Sequence, residues 1–312
     1  MNRRLKTVLI AIAVVFVLCA SGYCGLKKLL QNALTSPMCP ENYAETVKTG
    51  GELEAKYLAM GASSVGYFET DYPDDKDVGK IEIWYPKELE TTDAKFPVVL
   101  FVNGTGVFAS RYKPVFEHLA SWGFIAVGNE DPSTWEGKKA AATLDWLLKA
   151  SEDETSVFYG KVDVDRIGTT GHSQGGVGAF NLINETGRKE LFKCAVSLSP
   201  TAEKLAAVLR IPYYPGKTTI PILLICAANG DVLSPEDQAN SYEKINAPKA
   251  KAVRKNAGHG ETLYFADGYA TAWFAWFLKD DQEARKAFVG EDAEFLTNPL
   301  YRNQKVDVPE TP

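Results

Sequence analysis

The chain has 312 residues, 45% of them hydrophobic and 24% charged. That is the composition of a globule with a large core, long enough for one large α/β domain or two smaller ones. A net charge of −6 and no basic cluster in the body argue against nucleic acid and for a solvated acidic surface.

Arg3, Arg4 and Lys6 precede an uncharged apolar run, residues 8–20, which is short for a membrane span and typical of a signal-peptide core. Ala20 and Gly22 make a small-x-small site, so residues 1–25 read as a leader cleaved after Gly22. The alternative is a retained membrane anchor, because Leu26-Lys27-Lys28-Leu29-Leu30 continues the apolar pattern. Under either reading the protein leaves the cytoplasm, secreted or tethered at the cell envelope. Residues 26–50 carry Pro37 and Pro40 and little periodicity, which predicts a loose tether. The catalytic domain is expected over 51–305, with 306–312 a tail.

Residues 64–70 and 80–85 alternate in polarity and predict two strands, joined by a turn at Tyr72-Pro73-Asp74-Asp75 as an antiparallel edge hairpin. From residue 96 the pattern becomes strand, helix, strand, helix. Strands are expected at 96–103, 124–128, 194–198, 220–227 and 250–255, with 166–170 the last residues of another, and helices at 112–120, 138–149, 176–185 and 269–278. Apolar strands without alternation, separated by helices, predict a mostly parallel sheet covered on both faces. Of the five cysteines, Cys19 and Cys24 lie in or beside the leader, and Cys194 and Cys226 sit in strand-like runs as buried thiols. No spacing suggests zinc or any other metal, and a 194–226 bridge stays open.

The chain is organised around Gly171-His172-Ser173-Gln174-Gly175, a G-x-S-x-G turn between a strand and a helix. Such a reversal forces its central residue into strained angles and pushes Ser173 out at the top of the sheet. A serine hydroxyl needs a base, and the chain holds three histidines. His172 lies inside the turn with its side chain directed away from the nucleophile, as a residue lining the substrate site. His118 lies on an amphipathic helix, solvent-facing or satisfied. His259, in Gly258-His259-Gly260, follows the last predicted strand on a glycine-flanked loop where the base belongs. Asp231, in Asn229-Gly230-Asp231, is the acid that holds it, with Glu236 and Asp237 as fallbacks. Oxyanion donors are expected from the Gln174 N–H and from Asn103-Gly104-Thr105-Gly106. Thr105 is the first choice there, Gly106 stays open as its neighbour, and Gly104 and Gly106 are expected against the substrate. The order Ser173, Asp231, His259 is that of α/β-hydrolases.

On these residues the chain resembles the α/β-hydrolase branch of bacterial cutinases, polyester hydrolases and dienelactone-hydrolase-like esterases. Phe158-Tyr159-Gly160-Lys161-Val162-Asp163, running into Arg166-Ile167-Gly168, is similar to the run those enzymes carry before their nucleophile. Leu119-Ala120-Ser121-Trp122-Gly123-Phe124 and Ala272-Trp273-Phe274-Ala275-Trp276-Phe277-Leu278 add to the resemblance, which covers about 80–305. It implies an α/β-hydrolase fold and a lid-poor serine esterase with an open cleft and no cofactor. Three departures matter. Thr105 stands where those polyester hydrolases carry an aromatic residue, and Gln174 where they carry methionine. Their cleft tryptophan has no counterpart near Ser199-Pro200-Thr201, leaving Tyr213 and Tyr214 to line the cleft or to pack. The implied substrate is therefore a small or medium acyl ester, with no protein partner. Acyl transfer at the cell envelope and polyester or cutin hydrolysis are the alternatives.

Overall fold

The computed structural model describes residues 36–72 and 78–309. The leader and most of the predicted hairpin turn lie outside the described residues. The strands are β1 (Val65–Asp71), β2 (Lys80–Pro86), β3 (Phe96–Val102), β4 (Ile125–Asn129), β5 (Val162–His172), β6 (Phe192–Leu198), β7 (Ile222–Asn229), β8 (Lys249–Gly258) and β9 (Tyr301–Asp307). The helices that bear on the site are α1 (Tyr43–Thr46), α2 (Glu52–Leu58), α3 (Lys113–Ser121), α4 (Lys138–Ala150), α5 (Gln174–Glu185), α6 (Pro235–Lys244) and α7 (Asp267–Lys279). Among the described residues the strands form one nine-stranded sheet in the order β1-β2-β4-β3-β5-β6-β7-β8-β9. Strands β3 to β8 run parallel to one another, and the antiparallel pairings of β1 with β2, β2 with β4 and β8 with β9 close the two edges. This is the α/β-hydrolase fold, as the alternating strand and helix pattern predicts.

Strand pleating divides the core between two faces. In β3, Val99 and Phe101 point to the face covered by α3 and α7, where Phe116, Trp273 and Phe274 are buried. Val98, Leu100 and Val102 point to the other, against Leu144 and Leu147 of α4 and Val177 and Phe180 of α5. Burying an aliphatic or aromatic side chain of this size stabilises the fold by roughly 1.5–3 kcal/mol. Continuous apolar strands are thus required, because neither face meets water.

Two sequence expectations are corrected. Residues 36–50 are not a loose tether: Tyr43 in α1 is 1% exposed, Cys39 is buried, and the segment packs on the α3 and α7 face. Low periodicity misleads there because one short turn supplies too few residues to show a stripe. The domain does not end at 305, since β9 pairs with β8 through Asp307. Its exposed face alternates charged residues, which hides an edge strand in an apolarity scan. Cys39, Cys194 and Cys226 are free and buried, so there is no 194–226 bridge.

His118 is buried rather than solvent-facing, and it binds the N-terminal segment. Its Nδ1 lies 2.7 Å from Asp267 Oδ2, its Nε2 3.1 Å from the Ala59 carbonyl, and the Tyr43 hydroxyl donates to the same Asp267 oxygen at 2.5 Å. Both ring nitrogens face acceptors, an arrangement that favours the protonated ring. Burial alone would lower its pKa, but the Asp267 carboxylate outweighs burial and raises it. A raised folded value means the pair stabilises fully below the unfolded pKa of about 6.5 and loses that contribution as pH rises through the folded value. His118→Leu leaves Asp267 buried without its cation. It is expected to cost about 3–5 kcal/mol at pH 6, and less at higher pH, measured by urea unfolding across pH 6 to 9.

Candidate active site

The chain leaves β3 toward β4 on one side and leaves β5 toward β6 on the other, so the loops after β3 and β5 part at a topological switch point. Val102 and Gly171 are register partners there, which sets Asn103-Gly104-Thr105 beside the end of β5. Ser173 follows with φ 61° and ψ −126°, a conformation that disfavours L side chains. The flanking glycines are required by close approach. A Cβ on Gly175 would stand 2.0 Å from the Val102 carbonyl oxygen, and one on Gly171 would stand 2.2 Å from that of Gly175. The Ser173 N–H donates to the Leu198 carbonyl at 2.9 Å, tying the turn to β6.

At the far side of the crevice Asn229 pairs with Gly258, which sets the loops after β7 and β8 side by side. His259 Nδ1 lies 2.8 Å from Asp231 Oδ1. Asp231 is a heavily committed acceptor. Its Oδ2 takes hydrogen bonds from Ser199 Oγ at 2.7 Å and from the Ala227 N–H at 2.6 Å. Its Oδ1 also takes the Val232 N–H at 2.7 Å. Burial alone would raise this carboxyl, but the hydrogen bonds from His259, Ser199 and Ala227 hold it below the usual carboxylate range. Among the described residues no hydrogen bond joins Ser173 Oγ to His259, and such bonds are commonly long until substrate binds.

The loop after β3 separates the expected donors. The Gly106 N–H is committed to the Pro132 carbonyl at 2.9 Å, and the Gly104 N–H to the Tyr112 hydroxyl at 2.9 Å. Of the expected donors, the Gly106 N–H is thus engaged, whereas those of Thr105 and Gln174 have no acceptor among the described residues. Thr134 Oγ1 donates to the Asn103 carbonyl at 3.0 Å, and Asn103 Nδ2 to the Asp131 carbonyl at 2.8 Å, so the loop after β4 cradles this one.

Other expected positions take different duties. His172, expected against the substrate, is buried, and its Nε2 lies 2.7 Å from the His259 carbonyl. Ser234 caps α6, its Oγ accepting the Asp237 N–H at 3.0 Å and donating to Asp237 Oδ2 at 2.7 Å. Tyr213 is buried against Phe180, and Tyr214 is exposed with Lys217 over its ring. Ser199 is the residue sequence reasoning missed. It has φ 42° and is fully buried. The available signal was its place directly after the strand neighbouring the nucleophile's. No group of three or more His, Cys, Asp or Glu side chains gathers into a metal site among the described residues. Burial, then the Asp231 charge, pushes the Cys226 thiol up to about 12, which leaves it inert.

A protein-family model described as PET hydrolase-like matches residues 57–304. The chain is similar to chlorophyllase-1 of Citrus unshiu, 33% identical over 213 residues that cover 61% of this chain and 63% of that protein. It is similar to cutinase est2 of Thermobifida alba, 26% identical over 217 residues, 64% of each chain. It is also similar to bis(hydroxyethyl) terephthalate hydrolase of Streptomyces coelicolor, 24% identical over 212 residues, 64% of this chain and 62% of that one. The matched stretch thus spans under two thirds of each of these relatives.

Proposed function

We propose that this chain, which belongs to the PET hydrolase-like family, is a serine hydrolase of carboxylic esters working through Ser173, His259 and Asp231. The observation that carries the reading is what four loops present: Ser173 stands on a strained turn, His259 is held through Nδ1 by Asp231 at 2.8 Å, and the Thr105 and Gln174 amides have no partner among the described residues. In the reaction Ser173 Oγ attacks the acyl carbon while His259 Nε2 takes its proton. The Thr105 and Gln174 N–H groups hold the oxyanion, each such donor contributing about 10²–10³-fold. His259 then protonates the leaving alcohol, and water, activated by the same nitrogen, releases the acid from the acyl-enzyme.

A small or medium acyl ester is the substrate class that the site favours. Thr105 offers no aromatic face and Tyr213 is buried, so a flat polymer chain loses those two stacking partners, worth roughly 0.5–1.5 kcal/mol per contact. The printed names of the relatives, which include chlorophyllase, cutinase and terephthalate ester hydrolase, support ester chemistry. The basic residues before the apolar run at 8–20 support an exported or envelope-tethered protein.

The test is a fluorophosphonate probe followed by p-nitrophenyl esters from acetate to palmitate, on the full chain. Stoichiometric labelling of Ser173 and hydrolysis peaking at short or medium acyl length are expected. No label and no turnover on any ester would sink the proposal. An added alcohol that diverts product into a new ester would move the reading to acyl transfer.

A further inference from the structure

We propose that His172 is a positioning residue that sets the main chain of His259, by donating its Nε2–H to the His259 carbonyl and packing its ring against the His259 ring. The inference rests on the reading of Ser173, His259 and Asp231 as the reacting groups.

The geometry stands on its own. His172 is 2% exposed. Its Nε2 lies 2.7 Å from the His259 carbonyl oxygen, and the two ring centroids are 4.6 Å apart with planes at 40°. A carbonyl only accepts, so the Nε2 carries the proton and the tautomer is fixed by the partner. His259 lies between Gly258 and Gly260, which have no side chains to brace it. The local bonds, Gly258 N–H to Glu261 Oε2 at 2.7 Å and Glu261 N–H to the Gly258 carbonyl at 3.1 Å, fold the loop on itself. Two polar contacts at His259 reach other elements among the described residues. Asp231 holds the ring, and His172 holds the backbone.

The holder has a significant address. His172 is the last residue of β5, paired in register with Leu198, and the next residue is Ser173. The base is thereby referenced to the strand that carries the nucleophile, rather than only to the acid one strand away. A base that must take a proton from Ser173 gains most from this arrangement, because an error of about 1 Å in such a pair costs on the order of 10²-fold in rate. The ring also suits its place electrically. The groups that face it are His259 and Asp231, and burial, then the His259 charge, lowers it to about 4. It stays neutral while its neighbour becomes cationic.

The experiment compares His172→Phe, His172→Gln and His172→Asn in the full chain. The readouts are kcat and KM on p-nitrophenyl butyrate, thermal unfolding, and the low-field NMR signal of the His259 Nδ1–H. Phe keeps the ring packing without the donor, Gln offers an N–H at similar reach, and Asn offers one that falls short. The expected result is a kcat loss of roughly 10²-fold for Phe and Asn with KM nearly unchanged, and recovery of about tenfold or more in Gln. The Nδ1–H signal should broaden in Phe and Asn and sharpen again in Gln. The proposal is overturned if Phe keeps kcat within about threefold, if Gln does no better than Asn, or if the loss falls on KM, which makes His172 a substrate contact. If Phe does not fold, Gln against Asn decides. If Ser173→Ala is as active as wild type, the nucleophile reading fails. The NMR signal still reports on His172, because it needs no turnover.

Discussion

Ser173→Ala is expected to lower kcat on p-nitrophenyl butyrate by on the order of 10⁶-fold while leaving the fold intact. On the proposed mechanism the loss is this large because Ser173, His259 and Asp231 act as one unit, so removing the nucleophile idles the other two. A residual rate above that of water, by roughly 10³–10⁴-fold, should survive through the oxyanion donors and binding. Stopped assays with active-site titration measure both. The backbone gives a second handle on the same residue. Alanine inherits the φ of 61° and ψ of −126°, whereas glycine adopts them freely. Ser173→Gly should therefore be more stable than Ser173→Ala by about 1 kcal/mol in urea unfolding. Equal stability would mean that the elbow stores no strain.

Asp231→Asn should lower kcat by about 10⁴-fold, with KM far less affected. An amide can still occupy the space, but it presents an N–H as readily as an oxygen to His259 Nδ1, and it cannot stabilise the imidazolium. The variant also separates charge from packing. The wild-type carboxyl is held below the usual range by hydrogen bonds from His259, Ser199 and the Ala227 amide, against the opposing effect of burial. A depressed folded pKa gives stability that is fully present above the unfolded value of about 3.9 and is lost as pH falls through the folded value. Wild type should therefore show an acid limb in its unfolding free energy below pH 4 that Asp231→Asn lacks. Denaturation between pH 2.5 and 6 measures it. An identical limb in both proteins would assign acid sensitivity to other carboxylates.

Much of this was legible in the chain because local physics decides it. Gly171 and Gly175 are demanded by backbone atoms 2.2 and 2.0 Å from any Cβ they might carry, and that demand is visible as a spacing. The apolar runs at β3, β6 and β7 are continuous because parallel strands are covered on both faces, and this too is written residue by residue. Ser173, Asp231 and His259 could be named because each follows a recognisable strand in the right order.

What the sequence left open depends on groups far apart in the chain. Tyr43 meets Asp267 across 224 positions, and no local pattern in residues 36–50 announces that contact. Thr105 and Gly106 look alike as donors until the Pro132 carbonyl takes one of them. Ser199 is an ordinary serine until its hydroxyl is found 2.7 Å from Asp231. His172 is a variable letter inside a motif until the His259 carbonyl lies 2.7 Å from its Nε2. The sequence by itself determined the strands, the elbow and the order of the candidate reacting groups, since steric limits and strand burial act over a few neighbouring residues. Only the tertiary structure decided which donors are spoken for and what holds each reacting group in place. A hydrogen bond is settled by distance and direction, and folding alone supplies those between loops.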